Sequence, residues 1–320
     1  MARVVTYSVK SHVAEIVLSR PQKLNAMGPA FFRELDEAVE RAHADDSCRV
    51  VLVRRAIVLV DYSGIPSLSP LHLFSSLFLL FLFFSCRLLF LFSSLHLQVH
   101  AEGRAFTAGL DLAEAMSGGV LGGDATLSTA EKSARFVRHL RDYQRPFLHL
   151  SDKLMKPVIC AIHGACVGGG VDLASACDVR LATEDAYFSI REVRVGLTAD
   201  IGTLQRIGRI MNPSAANEMA FTGADYKAAQ MKEWGFLSHI YKDKDTLLGE
   251  ARRMAEQMAA NSPLVLHGIK NTLKYARDHT VAESMEQIQL WNAAFIDSPD
   301  LTEAMTAFFE KRKPVFSSKL

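Results

Sequence analysis

The chain has 320 residues, and its 36 Lys and Arg nearly balance its 35 Asp and Glu. This length can bury one large core with a small appendage, and the charge balance gives no sign of a nucleic-acid-binding surface. The five cysteines form no CxxC pair, and the eleven histidines show no metal-ligand spacing. We therefore expect a protein of a reducing compartment, with no disulfide framework and no metal site.

The N-terminal part of the chain alternates apolar and polar residues, which predicts strands at about 3–9, 13–18 and 49–54. It lacks the apolar run of a signal peptide. Between the second and third strands, Gly28-Pro29 precedes apolar residues at helical spacing. These residues are Phe31, Leu35, Ala38, Val39 and Ala42.

Residues 71–97 are unusual, because 23 of these 27 positions are Leu, Phe or Ser. The run is long and apolar enough for a membrane span, but its flanks at 49–54 and 101–106 read as parts of one soluble core. Leu, Phe and Ser share pyrimidine-rich codons. Our hypothesis is that roughly residues 55–100 are a retained intron or a gene-model error, and we expect no membrane anchoring. A genuine insertion and a membrane-anchored form are the alternatives.

The rest of the chain alternates strands and helices before becoming almost wholly helical after Gly202. Predicted before that point are a loop at 118–123, a helix at 127–150, a strand at 158–162, a helix after Gly170, and strands at 178–182 and 186–190. Predicted after it are helices at 203–210, 213–221, 226–234, 244–260, 263–277, 280–295 and 299–312, with a strand at 236–240. This order indicates a mixed α/β core (1–54 and 101–255) and a C-terminal helical region (256–320).

Three segments could carry chemistry. Gly168-Gly169-Gly170 opens a helix, so its N–H groups could bind an oxyanion, and Asp172 shares a helix face with Gly169; close packing at a helix start explains the same pattern. Residues 104–112 form another turn of small residues able to offer N–H groups. Glu192 and Asp200 stand in an apolar, glycine-punctuated stretch, which a charged surface loop would also explain.

Taken together, these segments resemble the enoyl-CoA hydratase/isomerase (crotonase) family. RPQKLNA at 20–26 resembles the family's early motif, RAFTAGLDL its first oxyanion loop, and GACVGGGVDLASACDVRLA its second. The resemblance implies an α/β spiral of ββα units with a C-terminal helical extension. It also implies that the N–H groups of Leu110 and Gly169 bind the thioester oxygen of an acyl-CoA. The implied substrate and CoA contacts are Lys23, Asn25, Ala26, Ala108 and Asp111.

The acids Asp172, Glu192 and Asp200 resemble the pattern of the Δ3,5-Δ2,4-dienoyl-CoA isomerases within that family. The resemblance implies that Glu192 and Asp200 exchange protons with C2 and C6, Glu192 being assigned to C2, while Asp172 tunes the pair. An enoyl-CoA hydratase, a Δ3,Δ2-enoyl-CoA isomerase and an inactive binding protein are the alternatives. No cofactor is expected, because the thioester carbonyl is itself the electron sink.

The chain ends in Ser318, Lys319 and Leu320, the tripeptide read as a peroxisomal address. We expect a peroxisome or a related organelle rather than the mitochondrion, with the peroxisomal import receptor as a partner. The family resemblance implies a homotrimer or homohexamer, which the helical C-terminal region could support.

Overall fold

A computed structural model describes residues 3–55, 105–117 and 126–317 of the chain. The described residues fall within one contact-defined unit, Met1–Ala56 with Gly103–Leu320. The Leu/Phe/Ser-rich segment at 71–97, the loop at 118–123 and the C-terminal tripeptide lie outside the described residues. The hypothesis about residues 55–100 therefore stays a hypothesis.

The larger sheet has six strands. In spatial order they are β1 (Val5–Lys10), β2 (Val13–Leu18), β3 (Val50–Arg55), β5 (Val158–Ile162), β7 (Val179–Thr183) and β10 (His239–Tyr241). β1 and β2 form an antiparallel hairpin, and the other neighbours are parallel. The central strand β5 is apolar and buried throughout, as expected of a parallel strand covered on both faces. The three strands predicted at the N-terminus are confirmed, with β3 ending at Arg55 rather than residue 54.

A smaller sheet has four strands. In spatial order they are β4 (Ala105–Thr107), β6 (Ala165–Val167), β8 (Tyr187–Ser189) and β9 (Tyr226–Lys227). β4, β6 and β8 are mutually parallel neighbours, whereas β9 runs antiparallel to β8. The loops that follow the three parallel strands therefore leave the sheet at the same edge, where ligands commonly bind in sheets of this kind.

The main core lies between the sheets and two long helices, α1 (Pro29–Ala44) and α3 (Thr129–Leu148). The apolar face predicted for α1 is buried, and its Phe32 ring stacks on Tyr143 of α3 with 4.0 Å between centroids. A capping box of Ser128 and Glu131 begins α3. The helix predicted at 127–150 is thus confirmed, and a π-helical turn, His149–Lys153, extends it.

The other helices are α2 (Leu112–Ser117), α4 (Gly169–Ala176), α5 (Thr203–Arg206), α6 (Pro213–Thr222), α7 (Ala228–Glu233), α8 (Lys244–Ala259), α9 (Pro263–Tyr275), α10 (Val281–Phe295) and α11 (Pro299–Phe309). α8 covers the outer face of the larger sheet through Leu247, Ala251 and Ala255 at helical spacing. α9 to α11 form the predicted helical extension. Within the described ranges, no helix is long and apolar enough to cross a membrane.

Candidate active site

Three loops meet at one edge of the smaller sheet. The first, residues 108–111, follows β4, and the second, Gly168, connects β6 to α4. The third follows β8 and leads into a 3-10 turn, Arg191–Val195, that carries Glu192. Because β4, β6 and β8 are adjacent and parallel, residues separated by more than 80 positions in the chain become neighbours here.

Gly109 and Gly168 are the points where the first two loops touch. Both have positive φ angles, 88° and 53°, which glycine adopts without steric cost. A Cβ on Gly109 would lie 2.9 Å from the carbonyl oxygen of Val167, and one on Gly168 would lie 3.1 Å from Glu192 Oε1. Glycine is therefore needed at both positions, both for backbone conformation and for close approach of the loops.

The two predicted oxyanion donors stand directly after these glycines. Leu110 is fixed on both sides, because Met27 N–H donates to Gly109 O at 2.8 Å and Asp111 N–H donates to Met27 O at 3.0 Å. Gly169 is the first residue of α4, where N–H groups have no intrahelical acceptor. Within the part of the chain that the structure describes, neither N–H has a hydrogen-bond acceptor. Two adjacent turns thus offer unused donors at one place.

Asp172, one turn into α4, is 1% exposed. Its Oδ1 accepts a hydrogen bond from Thr203 N–H at 2.6 Å, while Oδ2 is buried with no partner among the described residues. Burial raises the pKa of Asp172 to about 6, and Asp200 adds to the rise, whereas the Thr203 hydrogen bonds and Arg206 oppose it. The carboxyl group is consequently poised to hold or release a proton near neutrality.

Glu192 and Asp200 complete a group of three interacting acids. Burial, followed by the charge of Asp172, raises the pKa of Glu192 to about 7. Burial also raises the pKa of Asp200, whose backbone oxygen accepts a hydrogen bond from Gln144 Nε2 at 2.6 Å. Glu192 Oε2, like Asp172 Oδ2, is buried without a partner among the described residues. The structure thus brings the three predicted acids into one electrostatic cluster, in which at least one should carry a proton near neutrality.

The predicted CoA contacts Asn25 and Asp111 have their side chains engaged within the protein. Asn25 is 2% exposed; its Oδ1 accepts from Arg20 N–H at 2.7 Å and its Nδ2 donates to Phe106 O at 3.2 Å. Asp111 Oδ2 pairs with Arg20 Nη1 at 3.2 Å, and its Oδ1 accepts from Glu114 N–H in α2. These side chains hold the first loop in place, and their contact with CoA stays a prediction.

The other three predicted CoA contacts lie beside this network. Lys23 is half-exposed, and its Nζ is 3.8 Å from Asp111 Oδ2. Ala26 O accepts from Arg20 Nη1 at 3.3 Å, and Ala108 N–H donates to Leu24 O at 3.1 Å. Lys23, Ala26 and Ala108 are therefore gathered near the first loop, and their contact with CoA stays a prediction.

Sequence reasoning missed three residues that shape the site. Thr203 supplies the hydrogen bond to Asp172. Met27 holds the first loop, and its sulfur would lie only 2.8 Å from a Cβ added to Gly169. The Arg206 guanidinium packs against Gly202, and its charge opposes the rise in the pKa of Asp172. Their roles escaped sequence reasoning, because each acts across a tertiary contact.

A separate group, Asp36, Glu40 and His149, has the donor atoms to hold a metal ion. The sequence predicted no metal site, and the spacing of these residues on α1 and after α3 matches no ligand motif. Arg145 Nε lies 2.9 Å from Asp36 Oδ2, and Lys153 Nζ lies 2.7 Å from Glu40 Oε2. The carboxylates are therefore already paired with cations.

The sequence matches the enoyl-CoA hydratase/isomerase family over residues 99–319, and the chain belongs to this family of enzymes. A mitochondrial Δ(3,5)-Δ(2,4)-dienoyl-CoA isomerase from Dictyostelium discoideum is 36% identical, covering 96% of this chain and 88% of the relative. A peroxisomal enzyme of that name from Arabidopsis thaliana is 29% identical, covering 98% and 96%. The crystal structure of an enoyl-CoA hydratase/isomerase from Mycobacterium paratuberculosis superimposes with a TM-score of 0.71 at 26% identity, covering 98% of each chain. The predicted crotonase fold is confirmed.

Proposed function

We propose that the protein isomerises 3,5-dienoyl-CoA to 2,4-dienoyl-CoA in fatty-acid β-oxidation. The observation that carries this proposal is the third acid, Asp200, in the same electrostatic cluster as Asp172 and Glu192. Relatives named as dienoyl-CoA isomerases, identical at up to 36% over nearly the whole chain, support it.

In the proposed mechanism the thioester oxygen accepts hydrogen bonds from the N–H groups of Leu110 and Gly169. Glu192 removes a proton from C2, negative charge spreads over the dienolate onto the oxygen, and Asp200 donates a proton to C6. Each fixed donor of this kind contributes roughly 3–4 kcal/mol to lowering the barrier. The acyl-CoA is the only ligand that the mechanism requires, and no cofactor takes part.

Two acids are needed because C2 and C6 are too far apart for one short side chain. Glu192 is proposed as the base at C2 because its carboxyl lies against Gly168, next to the Gly169 donor. Asp172 is proposed to tune the pair, since its charge raises the pKa of Glu192. The resulting pKa of about 7 suits a group that must accept a proton and later release it.

Asp200→Asn tests this assignment. We expect it to lower kcat for 3,5-octadienoyl-CoA by about 10²–10⁴-fold, the usual contribution of a general acid, while CoA affinity is retained. The rate is followed by ultraviolet absorbance of the conjugated product, and affinity by calorimetry with octanoyl-CoA. Asp185→Asn, at an exposed turn between β7 and β8, is the matched control. Full activity in Asp200→Asn would reject the assignment, and hydration of 2-octenoyl-CoA as the only activity would identify a hydratase.

We further propose import into a peroxisome or a related organelle through Ser318, Lys319 and Leu320. The names of the relatives support both the peroxisome and the mitochondrion as compartments of such enzymes. A fluorescent fusion ending in these three residues should co-localise with a peroxisomal marker, and removing them should leave it in the cytosol. Retention in mitochondria would reject this location.

We also propose a homotrimer or homohexamer. Several apolar side chains of α9 to α11 are exposed in the single chain, among them Leu273, Leu290 and Phe308 at 64%, 75% and 76%. Large exposed apolar side chains in this number are typical of a subunit interface. Sedimentation equilibrium should therefore give a mass three or six times that of the chain, and a monomer would refute the proposal.

A further inference from the structure

A cleft of about 500 Å³ runs from Asp200 to the protein surface. Its walls come from the end of α3, the segment 200–209 and the residues at the end of α9. Its rim includes the exposed residues Gln205, Arg277 and His279, whereas Asp172 and Glu192 are not among the lining residues. Asp200 is therefore the one acid of the cluster that lines this cleft.

Seven residues with ionisable carboxyl, amino or guanidinium groups line the cleft, four of them basic and three acidic. Arg206, Arg209, Lys274 and Arg277 are its basic residues, and Asp152, Asp200 and Asp278 are its acidic ones. These groups favour water in the cleft, because burying them against an acyl chain would cost their hydration. The hydrogen bond from Gln144 Nε2 to the backbone oxygen of Asp200 fixes residue 200 in the wall.

The proposed isomerisation creates a need for such an opening. One turnover leaves Glu192 protonated and Asp200 ionised, which is the reverse of the starting state. Before the next turnover, Glu192 must lose a proton and Asp200 must gain one. The proton could pass internally through Asp172, or each acid could exchange separately with water.

We propose that water in this cleft re-protonates Asp200 after each turnover. Glu192 gives its proton to water once the product has left, so one proton enters the protein and one leaves, and no other reactant is consumed. The proposal rests on the proposed isomerase function. Its structural basis is the location of Asp200 in the cleft wall, whereas Asp172, the candidate for internal return, is 1% exposed and has Oδ1 held by Thr203 N–H.

Isotope labelling tests the source of the proton. When 3,5-octadienoyl-CoA reacts in D₂O and is stopped at low conversion, the product should carry nearly one deuterium at C6. In the converse experiment, substrate deuterated at C2 should give product without deuterium at C6 in H₂O. Deuterium carried from C2 to C6 would show internal return and overturn the proposal. Absence of any conjugated product would instead reject the isomerase function, so the two failures are distinguishable.

Cysteine accessibility tests the route. Asp200→Cys, Glu192→Cys and the cleft-rim control Gln205→Cys would be made in a Cys86→Ser background, because the other four native cysteines are buried. Each variant is treated with an anionic methanethiosulfonate, with and without saturating octanoyl-CoA, after thermal melting has confirmed folding.

We expect bound octanoyl-CoA to slow the modification of Glu192→Cys by at least about tenfold, since reactivity follows access to the thiolate. The modification rates of Asp200→Cys and Gln205→Cys should change by no more than about twofold. Equal protection at positions 192 and 200 would show that Asp200 is reached only through the substrate site and would overturn the route. If Asp200→Cys does not fold, the labelling experiment on the unaltered protein decides the source of the proton.

Discussion

Gly109→Ala is the substitution that most directly tests how the two loops build the oxyanion site. Gly109 has φ 88°, and an added Cβ would lie 2.9 Å from Val167 O, a backbone atom that cannot rotate away. The first loop would have to move, and Leu110 N–H would move with it. Loss of one such donor costs roughly 3–4 kcal/mol of transition-state stabilisation, or about 10²–10³-fold in kcat.

The substitution also costs stability, because an alanine in a left-handed conformation is disfavoured by about 1–2 kcal/mol. Gly235→Ala is a closely matched control. Its φ is 89°, but its nearest contact would be an ordinary 3.7 Å from Ile210 O, away from the three loops. It should therefore lose similar conformational stability and keep its kcat.

Both variants would be compared by urea unfolding and by the diene absorbance assay at saturating substrate. We expect both midpoints to fall, and only Gly109→Ala to lose catalysis, with little change in KM. If Gly109→Ala kept its kcat within about twofold, the contact between the loops would not position a donor, and the argument from Gly109 and Val167 would be refuted.

Three further predictions concern the acids and the support of the first loop. Because the pKa of Glu192 is about 7 and its ionised form is the base, kcat/KM should fall as the pH drops below about 7, and Glu192→Gln should abolish the activity. The pKa of Asp172 in the folded protein, about 6, exceeds its ordinary value of 3.8. The buried carboxylate therefore destabilises the fold only when it is ionised, so this cost is absent at low pH and complete above pH 6. Asp172→Asn should thus raise the free energy of unfolding at pH 8 by up to about 3 kcal/mol, with a smaller gain at pH 5; no gain at pH 8 would contradict the burial argument. Asn25→Ala removes buried hydrogen bonds to Arg20 and Phe106. It should lower the free energy of unfolding, measured with urea, by about 1–3 kcal/mol, and it should also lower kcat. An unchanged unfolding midpoint would show that Asn25 does not hold the loop.

The hypothesis about residues 55–100 has its own test. β3 continues through the buried Arg55, which donates to Ala105 O at 3.2 Å, so a shortened protein should keep residue 55 and rejoin the chain near residue 101. We expect this protein to fold and to catalyse the isomerisation. Intact mass measurement of the natural protein would show which form exists, and finding the full segment would refute the retained-intron hypothesis.

The sequence alone determined the elements and the residue types of the site. The apolar faces of α1 and α3 and the buried run of β5 follow from local periodicity, which depends only on residues a few positions apart. The glycines of the two loops and the acids Asp172, Glu192 and Asp200 could be singled out because their motifs are contiguous in the chain. Their place in the crotonase family followed from the same motifs.

Only the tertiary structure decided how these residues act on one another. The parallel order β4-β6-β8 brings Gly109, Gly168 and Glu192 to one sheet edge, and no local pattern encodes strand order. Burial, a property of the whole packed core, sets the raised pKa values of Asp172 and Glu192. It also separates Asp200, which lines an open cleft, from the other two acids, which do not. Proximity and dielectric environment arise only when distant segments pack together, so chain position cannot supply them.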